Sequence, residues 1–118
     1  AMYTVMRVHD FDAAEHLPAV LLDRLWPRGV RKERLEGTVW EKAATPSTAL
    51  RVWFHEDREG RFDEFCRRLR QELAEPEAQQ ALERIRALEK QQGEIHLLTA
   101  ARDPEHSHLV VIRELLQS

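Results

Sequence analysis

Two short stretches carry residue types that a core does not need. Asp23 to Lys32, DRLWPRGVRK, follows the apolar run Ala19 to Leu22 and packs arginines, a tryptophan, a proline and a glycine together. Near the far end, Ile95 to Ala100 runs into Ala101, Arg102, Asp103, Pro104, Glu105, His106, Ser107 and His108. The chemistry this mixture suits is anion recognition. A guanidinium presents a planar fork that matches phosphate or carboxylate. A helix start adds free N–H groups and the positive end of the dipole. On this reading Arg24, Arg28 and Lys32 hold an anion, helped by Arg102 and by helix starts at Ser47 and Asp103. His106, a few residues into the last helix, is disfavoured as a cation there and is the candidate general acid or base. Asp10 or Asp23 would orient it or a water.

Each of these residues also has a plainer use. The arginines can pair with neighbouring carboxylates and pin the 23–29 loop as an internal ion-pair network. Trp26 suits a packing anchor, Asp103 an N-cap, and His55 a helix C-terminal cap. Cys66 falls on an apolar stripe and belongs to the core. Ser47 has no G-x-S-x-G around it, which weakens a serine nucleophile. His106 and His108, two apart on one helix, would point about 200° from each other and could not share a metal. No metal site and no cofactor is expected. There is no P-loop and no G-x-G-x-x-G, so the standard nucleotide loops are excluded.

The elements that must position these residues follow from hydrophobic patterning. Tyr3 to Val8 predicts a strand, as does the continuous apolar run Ala19 to Leu22, of the kind covered on both faces. Residues 13–18 predict a loop, Arg31 to Leu35 a short helical turn, and Gly37 to Lys42 a short third strand. A helix is predicted from Thr45–Ser47 to about His55, with Leu50, Trp53 and Phe54 inward. The next opens at Glu59 or Gly60 and carries Phe62, Phe65, Cys66, Leu69 and Leu73 on one face. Pro76 starts a third helix, with Ala78, Ala81, Leu82, Ile85 and Leu88, that Gly93 ends. Glu94 to Ala100 is the last strand. Asp103 then caps a helix beginning at Pro104. Strands separated by helices predict a small α/β domain spanning 1–118, three-layer-like, with a mainly parallel short sheet and about four helices. Ligands of such sheets sit beyond the carboxyl ends of the strands, where both chemical stretches fall.

Length and composition fit this picture. The 118 residues suit one domain, 42% of them hydrophobic and 33% charged. The net charge of -3 argues against a generic polyanion binder. The single cysteine excludes an intrachain disulfide. No apolar stretch approaches the roughly 20 residues of a membrane span. No signal peptide is visible, so a cytoplasmic protein is expected, and Ala1 before Met2 reads as an expression scar.

Several motifs together carry a resemblance that covers nearly the whole chain. DRLWPRGV (23–30) with Lys32, then Trp40, Pro46-Ser47, Leu50-Arg51 and Trp53-Phe54-His55, then AARD (100–103) with His106 and His108, resemble the YeaO-like family of bacterial proteins, a domain of unknown function. The resemblance implies an α/β fold and a shared polar site, and no reaction. Some members are labelled transcriptional regulators, yet nothing here reads as a helix-turn-helix with a basic recognition helix. Three positions depart from the family pattern. Arg31 stands where serine is usual, Thr45 where alanine is usual, and Ser107 replaces the asparagine of His-Asn-His, keeping a hydroxyl but losing an amide. Function is thus expected to be binding of, or action on, an anionic metabolite such as a nucleotide or sugar phosphate. The alternative is a non-catalytic module that docks nucleic acid or protein through the basic segment 24–34. Convergence of these groups in a concave pocket separates the two.

Overall fold

The computed structural model describes residues 2–118. Four strands form one sheet in the order β1-β4-β2-β3: β1 is Tyr3–Arg7, β2 Ala19–Leu21, β3 Val39–Trp40 and β4 Ile95–Thr99. Every pairing is parallel, with Val5 opposite Leu97, Val20 opposite Leu97 on the other side, and Leu21 opposite Trp40. β4 lies inside the sheet, and all five of its residues are buried. That burial is why its sequence, IHLLT, lacks the alternation of a half-exposed strand.

Four helices pack on one face. They are α2 (Thr48–His55), α3 (Phe62–Glu72), α4 (Pro76–Gln92) and α5 (His108–Gln117). Leu50, Phe65, Leu69, Leu82, Ile85, Leu109 and Ile112 meet Val20, Ile95 and Leu97 there. The helical spacing of the apolar positions dictates these inward stripes. Cys66 lies in this core, and burial pushes its thiol up, away from reactivity. On the other face Phe11, Leu21, Leu35 and Leu98 form a smaller core, with Trp26 and Trp40 packed against it. The third layer is therefore thin, made of turns and loops.

Three expectations need correction. Residues 13–18 are not all loop: Ala13–His16 forms the single-turn α1, making five α-helices among the described residues. Asp12 caps it, accepting from Ala14 N, and His16 Nδ1 accepts from Asp12 N at 2.9 Å. The third strand is two residues long, because Lys42 to Ala44 turn into a 3-10 helix. The last helix does not start at Pro104. Asp103 caps only a 3-10 turn, Pro104–His106, after which Ser107 is fully extended and caps α5 afresh, accepting from Leu109 N. Two capping residues four apart compete for one helix start, and the second holds the longer helix. His106 is consequently outside α5, and the dipole argument for its neutrality lapses. Among the described residues no helix is long and apolar enough to cross a membrane.

Candidate functional site

Because the sheet is parallel, the chain leaves β2 and β4 at the same edge. The loop 23–30 after β2 and the segment 99–108 after β4 face each other there, and α2 closes the third side. Between them lies a cavity of about 840 Å³, within the ~300–1,000 Å³ usual for small-molecule sites.

Asp23 joins the two loops. Its Oδ1 accepts from Thr99 Oγ1 at 2.7 Å and its Oδ2 from Ala100 N at 2.7 Å. His108 Nε2 lies 3.3 Å from Asp23 Oδ1 and 2.5 Å from the Leu22 carbonyl. Both of those neighbours are acceptors, so His108 Nε2 carries a hydrogen. Burial works against a charge on Asp23, but the His108 bond, its positive character and the Ala100 and Thr99 donors outweigh it, and the carboxyl is held below its usual range. Asp23 is thus committed as the clasp of the cavity floor. Its histidine partner is His108, where sequence spacing pointed to His106.

His106 does line the cavity, but its ring stacks on Phe62, centroids 3.9 Å apart and planes 18° from parallel. No hydrogen bond orients that ring among the described residues. Arg24, Arg28, Arg102 and Asp103 also line the cavity. Arg24 is half spent, since its Nε donates to the Pro46 carbonyl at 2.7 Å. Asp103 Oδ1 accepts from Glu105 N. Arg28, Arg51, Arg58 and Arg102 have no side-chain hydrogen bond or ion pair among the described residues, and all four face the cavity.

The remaining predicted residues lie elsewhere. Asp10 is exposed on the 3-10 turn after β1, and Lys32 is exposed on the turn 32–35; neither lines the cavity. The strand ends do share an edge, but β1 sits two strands from the β2 loop. Ser47 lines a separate hollow of about 720 Å³. Its N donates to Glu72 Oε1 at 2.8 Å and its hydroxyl to Glu72 Oε2 at 2.6 Å, while the same hydroxyl accepts from Leu50 N. The Glu72 carboxylate already supplies the anion that the α2 start favours. Glu72→Ala is therefore expected to cost about 1–2 kcal/mol, the scale of a lost cap with its charge-assisted bonds. A urea titration measures this, and a midpoint unchanged from the parent would refute it.

Sequence reasoning missed Arg51, His55, Arg58 and His108. Arg51 and His55 are four apart on α2 and so share a face, a signal that was available. Burial, with Arg58 and Arg51 close by, holds the His55 ring below the ordinary histidine range. Among the described residues no three His, Cys, Asp or Glu side chains converge as a metal site requires.

A family model described as "Inactive DUF488-N3 subclade" matches residues 2–118. The chain belongs to this family. It is 35% identical over 111 residues to the uncharacterised protein YeaO of Escherichia coli, covering 92% of each. It is 35% identical over 112 residues to uncharacterised proteins of Mycobacterium tuberculosis and Mycobacterium bovis, covering 95% of this chain and 91% of theirs. No solved structure matches it significantly. The family description carries the word inactive.

Proposed function

We propose that this protein binds a phosphate- or carboxylate-bearing small molecule in the cavity beyond β2 and β4, and holds it without transforming it. The carrying observation is the set of four guanidiniums, Arg28, Arg51, Arg58 and Arg102, that face one cavity with no protein partner among the described residues. Guanidiniums that served only to pin the loop would be paired, as Arg24 and Arg34 are. Four like charges held together repel one another, and an anionic ligand relieves that repulsion. A binding role fits better than a catalytic one, because the best-oriented Asp–His pair is engaged with Leu22, Thr99 and Ala100 rather than with the open space.

Docking of nucleic acid through 24–34 has less support. Arg24 bonds Pro46, Arg34 bonds Phe11 and Val8, and Arg28 lines the cavity, so only Arg31 and Lys32 are left as an exposed basic pair. A thermal-shift titration with phosphate, pyrophosphate and citrate tests the reading. At a hundred times its dissociation constant a ligand adds about 2.7 kcal/mol of stability, which is expected for at least one of the three. Absence of any shift up to millimolar concentration would sink it.

A further inference from the structure

We infer that the ligand is a nucleoside polyphosphate: an ester with at least two phosphate charges whose other end is a flat, weakly polar ring. This rests on the anion-binding reading above and narrows it. The first argument is charge. The cavity is lined by five arginines, Arg24, Arg28, Arg51, Arg58 and Arg102, against three carboxylates, Asp23, Glu59 and Asp103, which leaves two positive charges in excess. The chain as a whole carries -3. A monocarboxylate or a singly charged diester would leave half of that excess unbalanced. A phosphate monoester, at roughly -1.5 to -2 near neutral pH, already comes close to balancing it; a diphosphate balances it fully and can occupy several guanidinium forks at once.

The second argument is the remaining wall. Leu25, Trp26, Pro27, Phe54 and Phe65 also line the cavity. Phe54 and Phe65, 7% and 2% exposed, stack on each other at 4.1 Å and form the buried backing of that side, leaving Leu25 and Trp26 to meet a ligand. Leu25 stands at the cavity with 64% of its surface exposed and has no place in either core. Met2, Leu17, Val39 and Val52 are exposed too, but of the five Leu25 alone borders the cluster of arginines, and covering it with a ring stabilises the complex. Inorganic pyrophosphate has no part to meet this wall, and the polyol body of a sugar phosphate meets it poorly. A base fits it by apolar contact with Leu25 and Trp26, and by the cation–π character of its contact with the arginines. The cavity of about 840 Å³ has room for both parts.

Isothermal titration of the whole chain with ADP, pyrophosphate and ribose 5-phosphate, on the parent and on Leu25→Ser, tests the inference. Leu25 is exposed, so its replacement leaves the fold intact. ADP is expected to bind at least tenfold more tightly than either other probe, and Leu25→Ser to weaken ADP severalfold while leaving pyrophosphate unchanged. Equal affinities for ADP and pyrophosphate, or an ADP affinity untouched by Leu25→Ser, overturn it. Pyrophosphate binding in that case keeps the anion site standing, whereas no binding by any probe removes the anion site itself and the nucleotide inference with it.

Discussion

Asp23→Ala is expected to destabilise the protein by about 3–5 kcal/mol, the scale seen when one partner of a buried pair is removed. The substitution takes away the acceptor for the Thr99 hydroxyl and the Ala100 amide, and it leaves His108 with the Leu22 carbonyl alone. Each stranded donor costs roughly 1–3 kcal/mol where water cannot reach it. In a chain of this size the loss should appear as a fall in melting temperature of more than about 10 °C. Asp23→Asn keeps the shape and one acceptor and should fall between. The pH dependence has a definite sign. The folded carboxyl is held below its ordinary value, so its stabilisation is complete above the unfolded value near ~4 and is lost as pH falls through the folded value. The gap between parent and Asp23→Asn should therefore be widest near neutral pH and narrow below about pH 4. A gap that stays constant from pH 7 to pH 3 would falsify the claim that the charged form is what the fold uses.

The second large effect is on binding. Replacing Arg28 and Arg102 together with alanine should weaken the anionic ligand by a hundredfold or more, since each charge-assisted bond contributes about 1.5–3 kcal/mol. Stability should stay level or rise slightly, because neither side chain is bonded within the described fold and two like charges leave the same cavity. Melting curves with and without pyrophosphate separate the two quantities. A double variant that binds as the parent does would exclude these arginines from the site. One that melts far lower would mean they hold the loop after all.

The parts of this fold that periodicity controls were legible in the sequence. The stripes of Phe65, Leu69 and Leu73, and of Ala81, Leu82 and Ile85, are set by the helical repeat, and each is buried as that repeat requires. The parallel direction of the strands was expected from strands separated by helices, whereas their order, β1-β4-β2-β3, was not. What escaped were features decided by competition between local options. Asp103 and Ser107 are both good caps, and sequence alone does not say which one closes the longer helix; that choice moved His106 out of α5 and brought His108 to Asp23. Ser47 was rightly seen as a helix start, but its partner, Glu72, lies 25 residues on, and only packing of α3 against α2 brings it near. Asp10 follows β1, two strands from the β2 loop, and Lys32 lies on the turn 32–35; neither shares the cavity, a distinction that no spacing encodes. Arg51 and Arg58 were overlooked for another reason: α2 was read for its apolar face, Leu50, Trp53 and Phe54, and Arg58 lies in the turn after it, which only the fold brings to the cavity.

The bond from Ala100 to Asp23 spans 77 positions of the chain, and it lies just outside any regular strand. An amide in a loop ordinarily trades its hydrogen for solvent deuterium within seconds, through small local openings. This one has no local opening available, because releasing it means parting the segment after β4 from the segment after β2. Its exchange should be as slow as that of the innermost strand amides, and it should quicken with denaturant along the same slope. A single loop resonance would then serve as a clock for the opening of the whole sheet edge. The cavity, bounded by those two segments, would exist whole or not at all.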